Sequence, residues 1–264
     1  MIRACIFDLG GTIVDKYSLT PFLSFKDAFK KLNINISDKL IYKDMGKDKK
    51  EHIQLILEDS NIRKQWFSNN NTLPNIHDIN HIYNLFNQHQ YKNSKFIDII
   101  PETYDCINYL RNNNINTGCT TGFNKENMNN IKYLLKENNL NLDSYVSSTC
   151  VKKQDGTYFT RPCSGMIYQN LKNLNLTSTK NVIKVDDTNI GIEEGKNSGC
   201  ITVGVARWST YMKVSPSTLR NINDDILNAK IKESRKILSN SNPDFLITSL
   251  NELPSIISFI NNKV

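Results

Sequence analysis

No apolar run in this 264-residue chain reaches the length of a membrane span. No leader-like segment precedes the first strand-like stretch at Ile2, so a soluble chain is expected. No arginine-rich block occurs and the lysines are scattered. The formal net charge of +7 is therefore read as a solvated surface, which fits a small anionic substrate and speaks against nucleic-acid or membrane partners. The cysteines (Cys5, Cys106, Cys119, Cys150, Cys163 and Cys200) lack paired spacing of the metal or redox kind. Cys5, Cys119 and Cys200 fall in or beside apolar runs, where cysteine behaves as a small buried hydrophobe. A reducing, cytoplasmic setting is expected. Asparagine runs such as Asn69-Asn70-Asn71 and Asn112-Asn113-Asn114 are read as surface loop drift without function.

What is present suffices for a core: 39% hydrophobic and 9% aromatic residues, in one large domain or a core with an inserted smaller one. The chain is organised around Ile2 to Thr12, an apolar run ending at Asp8 and followed by Gly10 and Gly11. Such a run reads as a parallel strand buried on both faces, and ligands collect at the carboxyl ends of these strands. The same residues also read as a buried strand followed by an ordinary Asx-type turn.

Helical spacing follows at Pro21–Leu32, Ser37–Met45 with Ser37 as N-cap, Lys49–Glu58 with Ile53, Leu55, Ile56 and Leu57 inward, and Asp78–Gln90. Roughly eighty residues of helix exceed the dozen or so a crossover between parallel strands needs, so an inserted helical domain is expected. A helix at Glu102–Arg111 leads into a second strand near Thr117–Cys119, then a helix at Lys125–Asn138 and a short apolar element at Tyr145-Val146. Val182–Val185 reads as the third strand, Cys200–Val205 as the fourth and Phe245–Thr248 as the last. One long polar helix is expected within 206–240 and a closing helix at Leu253–Ile260. Alternating strands and helices make an α/β fold, a doubly wound parallel sheet of Rossmann-like order.

Four strand ends then present polar groups at one edge: Asp8, Thr120-Thr121, the loop with Arg161, and Asp186-Asp187. Their order and spacing resemble the four motifs of the haloacid dehalogenase superfamily, with Phe7-Asp8-Leu9-Gly10-Gly11-Thr12 as the first. Gly10 stands where most phosphatase members carry a second Asp. One branch, phosphonoacetaldehyde hydrolase (phosphonatase), also has a small residue there, and Arg161-Pro162 is similar to its third motif. In the cap region Met45-Gly46-Lys47-Asp48-Lys49-Lys50-Glu51-His52 resembles that branch's Met-Gly-x-x-Lys-x-x-His.

The resemblance implies a core of residues 1–18 and 97–264 with an all-helical cap at 19–96. It implies Asp8 as nucleophile, Thr121 and Arg161 around the phosphoryl group, and Lys49 as the lysine that forms a Schiff base with the aldehyde. His52 then assists proton transfer, and Gly10, Gly11, Met45 and Gly122 line the substrate. Mg²⁺ is implied at Asp8, Gly10 and Asp187, with Asp186 beside them. Gly191 departs from the family, which carries an Asp there; Asp186, Glu193 and Glu194 are the carboxylates near enough in sequence to compensate. Phe123 stands where a Tyr is common and Ser18 where a Cys is seen.

The implied reaction is Mg²⁺-dependent hydrolysis of the C–P bond of phosphonoacetaldehyde, in a possible homodimer. A phosphatase or phosphotransferase on another small phosphorylated metabolite, and a non-catalytic binding protein, are the alternatives. Lys47 and Lys50 read as solvated, and their charge is expected to help lower the Lys49 pKa. His77 and His81, one helical turn apart, have Zn²⁺-like spacing without the glutamate of a metalloprotease motif, and read as exposed helix histidines.

Overall fold

In a computed structural model, residues 1–94 and 97–262 are described. β1 (Ala4–Phe7) is buried along its whole length, as expected of a continuous apolar run inside a sheet. It pairs in parallel with β2 (Asn116–Thr121) on one side and β4 (Val182–Asp186) on the other. β3 (Ser144–Ser147) flanks β2, while β5 (Ile201–Val205) and β6 (Phe245–Ile247) extend the other half. The order β3-β2-β1-β4-β5-β6 reverses direction between β1 and β4, which opens a crevice at their carboxyl ends. Asp8 and Asp186-Asp187 lie at that crevice.

Helices cover both faces of the sheet. One face carries the larger cluster, built on Phe7, Leu9, Val185 and Val203 with α6 (Glu102–Asn112), α7 (Lys125–Glu137) and α12 (Leu253–Asn262). The other packs Ala4, Ile6 and Val182 against α8 (Gly165–Asn173). α9 (Asn189–Asn197), α10 (Pro216–Leu219) and α11 (Asp224–Leu238) complete the core-side helices.

Between β1 and β2 lie α1 (Leu19–Lys30), α2 (Asp38–Lys43), α3 (Lys49–Glu58), α4 (Ser60–Asn70) and α5 (Ile76–Asn93). They bury their own cluster, including Phe25, Phe29, Ile41, Ile53, Trp66 and Phe86, separate from the sheet's clusters. We take this separateness as support for a cap spanning 19–96 between core segments 1–18 and 97–264. The boundary at 96 and the last two core positions lie outside the described residues.

Several expectations need correction. α4 was not anticipated: Asp59 caps it through the amides of Asn61 and Ile62, and its apolar positions are too few to show a period. The element at Tyr145 is a full strand, so Val182–Asp186 is fourth in chain order, not third. In α3 the inward residues include Lys49 and His52, whereas Leu55 is half-buried. Ser37 caps α2 as expected, but that helix stops at Lys43, short of Met45.

Candidate active site

β1 ends with the Asp8 amide still donating to the Val185 carbonyl at 2.9 Å, so the backbone is held in the sheet while the carboxylate leaves it. The chain then turns sharply at Gly11, where φ is +77° and a Cβ would fall 2.5 Å from Asp187 Oδ2. Only glycine satisfies both the turn and this approach. Thr12 Oγ1 donates to Asp187 Oδ1 at 3.2 Å, and the Thr210 amide donates to Asp187 Oδ2 at 2.9 Å. Oxygen atoms of Asp8, Asp186 and Asp187 lie within 4.8 Å of one another. Burial, reinforced by the Asp8 and Asp186 charges, drives the Asp187 carboxyl well above its usual range. Burial also raises Asp8, opposed by the Arg161 guanidinium.

Arg161 Nη2 donates to Asp8 Oδ1 at 2.8 Å and to the Thr120 carbonyl at 2.6 Å, while Nε lies 3.2 Å from Glu194 Oε2. Thr120 Oγ1 accepts from Lys184 Nζ at 2.9 Å and donates to Glu194 Oε2 at 2.8 Å. Lys184 Nζ is 2.9 Å from Asp186 Oδ2. Burial works against the Asp186 charge, but Lys184 and Arg161 outweigh it and hold its carboxyl below the usual range. A guanidinium held on three sides points one donor at Asp8 Oδ1 without freedom to swing away.

The facing wall comes from the cap. Gly46, at φ +99°, lets the α2–α3 loop settle against the core; a Cβ there would lie 2.9 Å from Ile190 Cγ2. Asp48 then caps α3 by accepting from the Lys50 and Glu51 amides. Lys49, the first residue of α3, is 6% exposed, and its Nζ sits 5.9 Å from the centre of the Phe25 ring. Burial lowers its pKa to about 8; Asp48 and Asp8 oppose the shift and Arg161 adds to it. The expected help from Lys47 and Lys50 does not arise. Lys47 pairs with Asp44 at 3.0 Å and Lys50 with Asn80 at 2.8 Å, each turned to the surface.

A small cavity between these walls, about 30 Å³, is lined by Asp8, Gly10, Lys49, Arg161 and Thr121 with Gly122, and further by Met45, Ser18 and Phe123. Drug-sized ligand sites run to ~300–1,000 Å³, and this space is far smaller. Gly10 leaves the wall bare: a Cβ there would meet Ser18 Oγ at 3.3 Å. His52 does not reach the cavity. It is fully buried behind Lys49, its ring centre 4.3 Å from that of Phe25, and burial with the Lys49 charge keeps it neutral. His77 and His81 are exposed on α5, and among the described residues the group able to hold a metal is the aspartate trio.

A family model of haloacid dehalogenase-like hydrolases matches residues 5–205. The chain belongs to that family. This haloacid dehalogenase-like hydrolase is 31% identical over 258 residues to a phosphonoacetaldehyde hydrolase of Latilactobacillus sakei, covering 97% of this chain and 95% of the relative. It is also 31% identical to one from Psychromonas ingrahamii, covering 100% and 88%. The crystal structure of a phosphonoacetaldehyde hydrolase-like protein from Oleispira antarctica superposes with a TM-score of 0.90 at 27% identity, covering 99% and 93%. A hydrolase from Pseudomonas syringae, at 14% identity and a TM-score of 0.65 over 96% and 97%, shares the fold. Within the family the chain stands with the phosphonatase-like hydrolases.

The hydrolase's ionic balance leaves room for a cation. Four buried carboxylates (Asp8, Asp186, Asp187, Glu194) face two buried cations, Arg161 and Lys184. Among the described residues Asp187 has no cationic partner, although both its oxygens are aligned by donors. Clustered carboxylate oxygens, with Asp187 free of an ion pair among the described residues, suit a divalent hard cation that would take the place of their protons. Of the carboxylates considered as compensation for Gly191, Glu193 is exposed and Glu194 is committed to Thr120 and Arg161, which leaves Asp186. Sequence reading placed Thr120 at a strand end and Thr12 in the first motif without giving either a role, and missed Lys184 and Thr210. Lys184 carried a signal, as a lone charge inside Val182-Ile183-Lys184-Val185; Thr210, as an ordinary threonine, carried none.

Proposed function

We propose that this hydrolase cleaves the C–P bond of phosphonoacetaldehyde, giving acetaldehyde and phosphate. The observation that carries the reading is Lys49, a buried lysine with a lowered pKa lining the same cavity as Asp8 and Arg161. Relatives named phosphonoacetaldehyde hydrolase support the substrate. Carbon is a poor leaving group, so the departing carbon needs an electron sink. The neutral Lys49 amine condenses with the aldehyde, releasing water and forming an imine. The imine nitrogen takes up a proton, an Asp8 oxygen attacks phosphorus, and the C–P electron pair moves into the protonated imine to give a neutral enamine. Arg161 is placed to steady the phosphoryl oxygens as charge develops. Water then frees phosphate from the aspartyl intermediate. The enamine is protonated on carbon, and hydrolysis of the imine returns acetaldehyde and Lys49.

Asp8, Asp187 and the Gly10 backbone would hold Mg²⁺, with Asp186 beside them, and the ion would supply charge stabilisation at the phosphoryl oxygens. Gly10 fits this chemistry, since no alkoxide leaves and none needs a proton. The non-catalytic alternative drew on Gly191, and that argument weakens because Asp186 fills the space beside it. A cytoplasmic homodimer remains part of the proposal, to be read by light scattering and fractionation. No helix among the described residues is long and apolar enough to cross a membrane.

The test is reductive trapping. Borohydride with phosphonoacetaldehyde should inactivate the wild type irreversibly and place a two-carbon adduct on Lys49 by peptide mapping. Lys49→Arg should be inactive and unlabelled. Labelling of Lys47 or Lys50, or full activity in Lys49→Arg, would overturn the proposal.

A further inference from the structure

Gly191 has no conformational reason to be glycine. It lies in the first turn of α9, which Thr188 caps, and its φ is outside the left-handed region. Glycine weakens a helix relative to alanine. What requires it is Asp186: a Cβ on residue 191 would fall 1.9 Å from Asp186 Oδ2 and 2.0 Å from its Cγ. The Asp186 carboxylate is folded back over the start of α9. Its Oδ1 accepts from the Thr188 amide at 2.9 Å and from Thr188 Oγ1 at 2.7 Å. Its Oδ2 faces Lys184 Nζ at 2.9 Å and Arg161 Nη2 at 3.5 Å. All of this is fully buried.

We propose that Asp186 is a positioning residue and Gly191 the vacancy that admits it. Seated beside α9, the carboxylate holds Lys184 and Arg161 in the arrangement that presents Arg161 Nη2 to Asp8. The carboxylate matters, not the position that carries it. Carried from residue 191 with position 186 emptied, its stem would begin 2.0 Å from where the Asp186 carboxyl carbon now lies. Only the kinetic readout of this inference rests on the proposed substrate.

The experiment compares Asp186→Asn, Asp186→Gly, Gly191→Ala, Gly191→Asp and the exchanged pair Asp186→Gly/Gly191→Asp by thermal unfolding and by steady-state kinetics with phosphonoacetaldehyde. Gly191→Ala overpacks a buried carboxylate and should lower Tm by roughly 2–10 °C. Asp186→Asn keeps the shape and loses the charge. Its kcat should fall on the order of 10²-fold, with KM changed much less, because Arg161 no longer sits where charge develops. The exchanged pair should recover kcat to within about tenfold of wild type and Tm above that of Asp186→Gly, a non-additivity expected of groups sharing one space.

A purely structural role would move Tm and leave kcat, so wild-type kcat in Asp186→Asn overturns the proposal. A harmless Gly191→Ala overturns it too, as does an exchanged pair no better than Asp186→Gly. If the wild type does not turn over phosphonoacetaldehyde, the substrate reading falls instead. The Tm cycle still decides the coupling: recovery in the exchanged pair supports it, and additive losses refute it.

Discussion

Lys49→Met should make this protein more stable while abolishing its activity. Methionine keeps the length and apolar stem of the side chain and removes the amine. Burial lowers the Lys49 pKa from 10.5 to about 8. At 1.36 kcal/mol per pKa unit, that depression means that charged Lys49 destabilises the fold by about 3 kcal/mol. The sign follows from proton counting. Below pH about 8 the folded and unfolded states both carry the ammonium, and the fold bears the full penalty. Between about 8 and 10.5 the unfolded lysine keeps its proton while the folded one has lost it, so stability rises with pH. Above that window the penalty is gone.

The variant should therefore unfold roughly 6–12 °C above the wild type at neutral pH, taking about 2–4 °C per kcal/mol for a chain of this size. The difference should narrow as pH climbs from about 8 to 10.5. Differential scanning calorimetry of the two proteins across that range reads it directly, and the subtraction removes every other titrating group. The same pKa leaves about a tenth of the molecules with a neutral amine at neutral pH, against fewer than one in 10³ for a free lysine. Wild-type kcat/KM should thus rise with pH to a plateau above about 8. A variant no more stable than wild type at neutral pH, or a Tm difference independent of pH, would refute this account of Lys49.

Three further outcomes are expected. Calorimetric titration should show Mg²⁺ binding that Asp187→Ala abolishes, because among the described residues of the aspartate trio Asp187 has no cationic partner; unchanged binding would move the site elsewhere. Simple phosphomonoesters should be poor substrates, since general acid catalysis contributes about 10²–10⁴-fold and Gly10 cannot supply it; fast turnover would favour the phosphatase reading. Gly46→Ala should raise KM and cost about 1–3 kcal/mol of stability, because φ is +99° and the new Cβ would press on Ile190; a wild-type KM would show that the loop is not where the cap closes.

The sheet was legible because its strands are buried on both faces and end in turn residues, so Ala4–Phe7 and Val182–Asp186 stand out from polar flanks. β3 was blurred by its serines, Ser144 and Ser147, which are buried but break the apolar run. The helix Ser60–Asn70 hid for the opposite reason: only Ile62 and Trp66 are buried, too few to mark a period. At the site, Asp8, Lys49, Arg161 and Asp187 were visible from position and resemblance. How they are oriented was not: Thr120 and Glu194 were noted for other reasons and Lys184 not at all. They surround Arg161 from strand and helix positions separated by up to 74 residues, and nothing local in the sequence links them.

The two walls of the cavity need opposite electrostatic surroundings, and the inserted cap is how one chain supplies both. The core wall concentrates charge: four carboxylates and two cations gather around the ends of β1 and β4, paired with one another and with threonine donors. A lysine seated among those carboxylates would keep its proton, as an opposite charge within ~4–6 Å favours the charged form. It could not then attack an aldehyde. Lys49 instead stands on a helix whose buried face, with Ile53, packs against Phe25 and Phe86 of neighbouring helices, and desolvation is the largest influence on its amine. Arg161 serves both walls, holding Asp8 at 2.8 Å while its charge disfavours a proton on Lys49. Placing the amine on the apolar body and Asp8 on the ionic one lets burial lower the Lys49 pKa although both groups line one cavity.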